Sequence, residues 1–167
     1  ILNSEALVDP MEFELPALSD TEKRLLLERR LISRDMLNPN PASVLLADRD
    51  ESLAVMINEE DHLRIQALSP GFQLESVWQR INQFDDVPAS RIPYAFDPRL
   101  GFLTSCPSNL GTGMRASVML HLPGLVMAGQ IAAVKQALGK LGLAVRGFYG
   151  EGSENFGNLF QISNQST

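Results

Sequence analysis

Ser43-Val-Leu-Leu-Ala-Asp-Arg-Asp-Glu-Ser-Leu-Ala-Val-Met-Ile-Asn58 sets two strand-favouring runs, Ser43–Ala47 and Leu53–Asn58, either side of the charged turn Asp48-Arg-Asp-Glu51. Short apolar runs bounded by turn-forming residues predict a β-hairpin. A further extended run, His62–Leu68, follows at once and ends at the Ser69-Pro-Gly71 turn. Three strands in sequence, joined by connections too short for a crossover helix, predict antiparallel pairing.

Upstream, Pro10, Pro16 and the acidic Asp9–Glu14 stretch read as an extended lead-in. Ser19-Asp-Thr-Glu22 is a capping-box pattern and predicts a helix from there to about Leu31. Asn38-Pro-Asn-Pro41 then breaks the chain. Downstream, Leu74, Val77, Trp78, Ile81 and Phe84 recur at helical spacing and predict one buried face. Arg91–Phe96 and Leu100–Ser105 read as a second hairpin around Asp97-Pro98, and Ser117–Leu122 alternates until Pro123. Ile131, Val134, Leu138 and Leu141 form another helical stripe, stopped by Gly142. Leu143–Phe148 and Asn158–Ile162 read as closing strands. Roughly seven strands and three helices, with hairpins dominant, predict an α+β fold: a largely antiparallel sheet flanked by α-helices.

Composition narrows the function classes. The 167 residues, 44% hydrophobic, are enough for one domain with a real core. Mean hydropathy is -0.03, and no apolar run approaches the ~18 residues of a membrane helix. No charged leader precedes an apolar segment at the N-terminus, and the chain lacks an initiator Met, as an excised piece of something longer would. A net charge of -6 argues against nonspecific binding to nucleic acid or anionic membrane, which needs clustered cations. Cys106 is the single cysteine, so no internal disulfide forms, which fits a reducing cytoplasm. Two histidines and one cysteine, at no metal-ligand spacing, leave little for a structural zinc.

Three polar clusters interrupt the apolar strands. Asn58-Glu-Glu-Asp-His-Leu-Arg64 reads either as a solvated turn or as a sheet-edge site, and the return of apolar periodicity after it favours the site. Thr104-Ser-Cys-Pro-Ser-Asn-Leu-Gly-Thr-Gly-Met-Arg115 sets small residues between two strands and ends on an arginine. It is neither a Walker A loop nor a dinucleotide fingerprint. Gly-Thr-Gly alone reads as a tight turn, and a lone cysteine as a buried, inert one. Arg146-Gly-Phe-Tyr-Gly-Glu-Gly-Ser-Glu154 is a glycine-rich loop, read either as a flexible connection or as a segment that closes on a ligand. Arginines at separate strand ends (Arg64, Arg115, Arg146) suit a polyphosphate, because each guanidinium can fork onto phosphate oxygens. Acids beside such a site call for a cationic partner, such as a guanidinium or an amine.

Asn58–Arg64 together with Cys106–Gly113 resembles the phosphagen kinase (ATP:guanido phosphotransferase) family, and the likeness runs on to Phe160-Gln-Ile-Ser-Asn164. Within it, Met56–His62, Arg115–Pro123 and Tyr149–Glu154 are similar to the bacterial protein arginine kinases. The resemblance implies a catalytic domain of phosphagen kinase/glutamine synthetase-like fold. It implies ATP-dependent phosphorylation of arginine side chains in proteins, marking them for a Clp-type protease, with an activator protein as a further partner. A guanidinium must shed a proton as it attacks. Glu60 matches the glutamate that accepts it, Glu151 the second carboxylate, and Cys106 the active-site cysteine in a supporting role. Arg64, Arg115 and Arg146 match the arginines that grip the phosphates. The backbone of Arg115, Ala116, Ser117, Val118 and Met119, with Arg146, Gly147, Phe148, Tyr149, Gly150 and Glu151, would complete the ATP pocket. Mg²⁺ would arrive with the nucleotide. Asp61 and His62 read equally as braces of the turn.

Met119 stands where creatine and small-molecule arginine kinases carry a nucleotide-contacting histidine, and Gln161 where they carry an aspartate; both are usual in the protein arginine kinases. Arg30 stands where a family histidine would approach the nucleotide, a third departure. The family's Ser-Ser-Arg-x-Arg phosphate-binding segment and its long C-terminal helical part are absent from residues 1–167. The expectation is therefore a partial C-terminal catalytic domain that binds ATP weakly on its own. Two alternatives stay open: a kinase for free arginine or another small guanidino compound, and a non-catalytic module that binds phosphoarginine or a partner protein.

Overall fold

Every strand pairing in the computed structural model, which describes residues 7–147 and 157–165, is antiparallel. The chain divides into two compact units, Ile1–Ala95 and Phe96–Thr167. No helix among the described residues is long and apolar enough to cross a membrane.

The first unit is built on a four-stranded sheet in the order β1 (Met11–Glu14), β2 (Val44–Ala47), β3 (Leu53–Ile57), β4 (Leu63–Ala67). The expected hairpin forms in the register Leu45↔Met56 and Ala47↔Ala54. Successive residues face opposite ways, and β3 is apolar at every position because both of its faces are covered. Leu45, Ala47, Ala54 and Met56 pack with Leu26, Leu31, Ile32 and Met36. Leu46, Leu53 and Val55 pack with Leu7 and Phe84 on the other side. Each such side chain contributes about 1.5–3 kcal/mol of transfer free energy.

Helix α1 (Asp20–Glu28) starts where the capping box requires. Glu22 N–H donates to Ser19 Oγ, and Ser19 N–H donates to the Glu22 carboxylate at 2.8 Å. It stops short of the expected Leu31, because Arg30 adopts a left-handed φ of 63°. The Leu31 N–H then reaches back to the Leu26 carbonyl at 2.9 Å, and Leu31 and Ile32 drop into the core. Helix α2 (Leu74–Ala89) forms as predicted, but its buried face is shorter than the periodicity suggests. Phe84 is buried and Val77 and Ile81 are half-buried, whereas Leu74 and Trp78 are exposed. At mid-helix Arg80 pairs with Asp48, a fully buried carboxylate that also accepts the Val8 N–H.

In the second unit, the hairpin expected over Arg91–Ser105 shrinks to β5 (Phe96–Asp97) and β6 (Gly101–Phe102). Asp97 Oδ1 accepts the N–H groups of Arg99 and Leu100 at 2.7 and 3.1 Å, which turns the chain early. A three-stranded sheet follows in the order β7 (Ser117–His121), β9 (Leu159–Asn164), β8 (Leu143–Arg146). Helices α3 (Pro123–Met127) and α4 (Ile131–Lys140) lie between β7 and β8 in sequence. α4 packs against β8. Ile131, Val134 and Leu138 are half-buried, while Leu141 falls beyond the helix and is exposed. Gly142 takes a left-handed φ of 74° and ends the helix as predicted. Among the described residues there are nine strands and four α-helices, so the α+β expectation stands with the sheet split in three.

Candidate active site

The β3–β4 turn is fixed at its base by Asn58, whose φ of 53° suits a residue type that tolerates the left-handed region. Its N–H donates to the His62 carbonyl at 3.0 Å, its side-chain amide donates to the Ala42 carbonyl at 3.0 Å, and its carbonyl accepts from Ser43 Oγ at 2.9 Å. His62 Nδ1 lies 3.3 Å from Asn58 Oδ1, so His62 braces the turn.

Inside this frame the two glutamates part. Glu60 is exposed at the tip of the turn. The Glu59 side chain is only 2% exposed; it accepts from Arg64 Nη1 at 2.8 Å and from the Glu60 N–H at 2.7 Å. Burial pushes its carboxyl toward the neutral form, but the Ser33 hydroxyl, the Glu60 N–H and Arg64 together outweigh burial and hold it below the usual carboxylate value. Ser33 Oγ is itself buried and outside full hydrogen-bond geometry with any described group. Arg64 sits on edge strand β4 opposite Met56, and therefore on the α1 face of the sheet. Two residues along β4, the Gln66 side chain donates to the Arg30 carbonyl. Arg64 and the Arg30 carbonyl thus lie along edge strand β4, and Glu60 lies in the turn that leads into it.

Cys106 belongs to the second unit. It is half-buried at the start of a single 3-10 turn, Pro107–Asn109, with its sulfur 3.0 Å from Ser108 Oγ. The Thr104 hydroxyl donates to the Cys106 carbonyl at 2.8 Å. The loop is closed where Gly101 meets Gly111: the Phe102 N–H donates to the Gly111 carbonyl at 2.8 Å, and a Cβ built on Gly101 would lie 2.4 Å from that oxygen. The first glycine of Gly-Thr-Gly therefore serves a close backbone approach, a finer assignment than a tight turn.

Arg115 is exposed just before β7, and the backbone on both sides of it is tied to Asn164. The Ala116 N–H donates to Asn164 Oδ1 at 2.9 Å, and Asn164 Nδ2 donates to the Met114 carbonyl at 3.0 Å. Ser117, Met119 and Arg146 share one sheet face, because Ser117 pairs with Ser163 and both Met119 and Arg146 pair with Gln161. Arg146 donates to Ser163, and Gln161 donates to Ser117 Oγ at 2.8 Å. Val118 and Ile162 point to the opposite face, where Phe160 is fully buried with the Lys135 ammonium 5.8 Å from its ring centre. Gly147 follows β8 and is buried. Phe148, Tyr149, Gly150 and Glu151 lie outside the described residues.

Sequence reasoning passed over Glu59, Ser108, Ser163 and Asn164. Asn164 had a signal, since it closes the last stretch of the family likeness. Glu59 had none, because its burial depends on Arg64 folding back over it.

Residues 6–167 match the model of the ATP:guanido phosphotransferase C-terminal catalytic domain. The chain belongs to the ATP:guanido phosphotransferase family. It is 53% identical over 153 residues to a protein-arginine kinase of Pelotomaculum thermopropionicum, covering 92% of this chain and 43% of the relative. It is 58% identical over 151 residues to the protein-arginine kinase of Desulforamulus reducens, covering 90% and 42%. Among solved structures, the duplicated taurocyamine kinase from Schistosoma mansoni with bound transition-state-analogue components superposes with a TM-score of 0.81 at 27% identity, covering 94% of this chain and 23% of that one. A lombricine kinase gives 0.75 at 25% identity, covering 95% and 47%. The chain spans less than half the length of the curated relatives it matches.

Proposed function

We propose that this chain supplies the phosphoryl-transfer residues of an ATP-dependent kinase acting on arginine side chains of proteins. The observation that carries the reading is the β3–β4 turn, which presents Glu60 to solvent beside Arg64, in a chain 53–58% identical to proteins named protein-arginine kinase. A guanidinium and a polyphosphate carry opposite charges, and this turn offers a group for each.

In this reading a guanidino nitrogen of the substrate arginine attacks the γ-phosphorus, Glu60 accepts the nitrogen's proton, and the bond to the departing ADP oxygen breaks. Glu151 holds the other side of the planar guanidinium. Cys106 supports the site from its 3-10 turn, with the Ser108 hydroxyl fixing the sulfur. Arg64, Arg115 and Arg146 grip phosphate oxygens as bidentate cations. The backbone of Ala116, Ser117, Val118 and Met119, with Gly147, Phe148, Tyr149 and Gly150, lines the nucleotide site, and Arg30 borders it. Mg²⁺ would arrive on the nucleotide's phosphates, completed by water, and would neutralise charge there.

The protein partners in this reading are substrates with exposed arginines, an activator protein and a Clp-type protease, all in the cytoplasm, with phosphoarginine marking the substrate for degradation. Residues 1–167 serve as part of a C-terminal catalytic domain. Kinases of small guanidino compounds are the second reading, drawn from the taurocyamine and lombricine kinase likenesses. Identity of 25–27% to those, against 53–58% to the protein-arginine kinases, favours the first.

The test is to incubate the full-length protein with ATP and protamine and look for acid-labile phosphate on arginine. Free arginine as acceptor separates the two readings. Glu60→Gln should abolish the product while ATP binding persists; product formation at the unsubstituted rate would remove Glu60 from the mechanism.

A further inference from the structure

The proposed chemistry uses Glu60 and Arg64 and leaves Glu59 without a task, yet Glu59 is the carboxylate that the turn encloses. A carboxylate at a turn tip is best solvated in water, and enclosing it is unfavourable unless charge and donors compensate. Both kinds of compensation come from the residues flanking the chemistry. Arg64 Nη1 stands 2.8 Å from Glu59 Oε1, and the Glu60 N–H stands 2.7 Å from Glu59 Oε2. One buried carboxylate therefore ties the guanidinium of Arg64 to the backbone of Glu60.

We propose that Glu59 is the positioning residue of this site, locking the Arg64 guanidinium and the Glu60 backbone into one rigid unit before nucleotide arrives. The inference rests on the kinase roles given above to Glu60 and Arg64. The lock leaves room for the ligand: the Arg64 side chain remains 46% exposed, and a guanidinium has five N–H donors, so one edge serves Glu59 while another forks onto phosphate. Fixing the cation beforehand spares the ordering of a long side chain on binding. Both oxygens of Glu59 are engaged, so aspartate, one methylene shorter, keeps the charge but spans the two contacts poorly. Glutamine keeps the shape and loses the charge.

The experiment has two arms on the full-length protein. In the first, kcat and the KM for ATP are measured with protamine as acceptor for Glu59→Gln and Glu59→Asp. Glu59→Gln should lower kcat about tenfold to a hundredfold, the range for displacing a catalytic group by about 1 Å. Its KM for ATP should rise as well, because an unlocked Arg64 must be ordered on binding. Glu59→Asp should recover part of kcat. A side chain that merely packed would leave the isosteric glutamine silent. The second arm needs no activity: ¹⁵N NMR of the Arg64 side chain in the unsubstituted protein should show hindered guanidinium rotation, released in Glu59→Gln. Free rotation in the unsubstituted protein, or an active enzyme whose Glu59→Gln form keeps full kcat, overturns the positioning role. Absence of phosphoarginine with hindered Arg64 rotation would instead count against the kinase reading and leave the lock standing.

Discussion

Met119 and Gln161 are direct partners across β7 and β9, and Gln161 also faces Arg146 on β8. Two of the three positions where the resemblance marks a departure from the creatine and small-molecule arginine kinases are therefore cross-strand partners. Those enzymes are expected to carry a histidine opposite an aspartate at this point, and here both charges are gone together. Gln161 uses its amide to donate to Ser117 Oγ at 2.8 Å, a bond an aspartate could not make in its ionised form.

A double-mutant cycle on this pair should show coupling. Gln161→Asp alone removes the donor to Ser117, and Met119→His alone sets an imidazole against an amide. Combined, they should be more stable than the sum of the singles by about 0.2–1 kcal/mol, the range for cross-strand pairs. The coupling should grow below pH ~6.5, where the introduced imidazole is charged. Urea unfolding at pH 5.5 and 8 measures it, and strict additivity at both pH values would mean the two departures are unrelated.

The Glu59 carboxyl, held below its usual value of 4.5, makes stability depend on pH with a defined sign. The unfolded chain binds more protons there than the folded one, so stability rises with pH through that window. The contribution is fully present above the ordinary value and is lost as pH falls through the lower, folded one. Unfolding curves from pH 7 to pH 3 should therefore be steeper for the unsubstituted protein than for Glu59→Gln. Parallel profiles would show that Glu59 titrates normally.

Much of this fold was legible because its signals are local. The capping box at Ser19–Glu22, the hairpin over Ser43–Asn58 and the stop at Gly142 each involve residues a few positions apart. What escaped depends on partners far along the chain. Asp48 reads as part of a charged turn, yet it is fully buried because Arg80 on α2 and the Val8 N–H reach it. The α2 stripe overstates burial, since periodicity marks a face without marking where the sheet beneath it ends; Trp78 is 48% exposed. The second hairpin is shorter than its residue pattern because Asp97 turns the chain early and Phe102, paired with Phe96 on one side, bridges to Gly111 on the other. At the candidate site, residue types singled out the Asn58–Arg64 cluster with Arg64, and the family resemblance pointed to Glu60 within it, but the contacts of Glu59 and Asn164 with their neighbours appear only in the geometry.

Gly101→Ala should loosen the loop that carries Cys106. Gly101 has φ of 80°, and an added Cβ would come within 2.4 Å of the Gly111 carbonyl oxygen, which is backbone and cannot swing away. The left-handed conformation alone costs about 1–2 kcal/mol for an alanine, and the clash adds to it. Gly113→Ala is the control: it has φ of 62° with nothing within 4 Å of the added methyl, so only the backbone strain applies. Alkylation of Cys106 should accelerate more in Gly101→Ala than in Gly113→Ala. Equal rates would mean that the Gly101–Gly111 contact does not hold the loop.

Asn164 offers the sharpest separation of positioning from stability in the second unit. Its amide spans Arg115, accepting the Ala116 N–H at 2.9 Å and donating to the Met114 carbonyl at 3.0 Å, so it fixes the backbone on both sides of a proposed phosphate contact without touching phosphate. Asn164→Ala loses both bonds, at about 0.5–1.5 kcal/mol each. Asn164→Asp keeps an acceptor for Ala116 and loses the donor to Met114, and so should be intermediate in stability. The effect on nucleotide binding should run in the same order, with the ATP dissociation constant rising most for Asn164→Ala, because Arg115 then samples positions that must be reordered on binding. Thermal unfolding and ATP titration on the same three proteins check this together. Weakened stability with unchanged ATP affinity would assign Asn164 to holding the β7 start alone and would free Arg115 from any dependence on it.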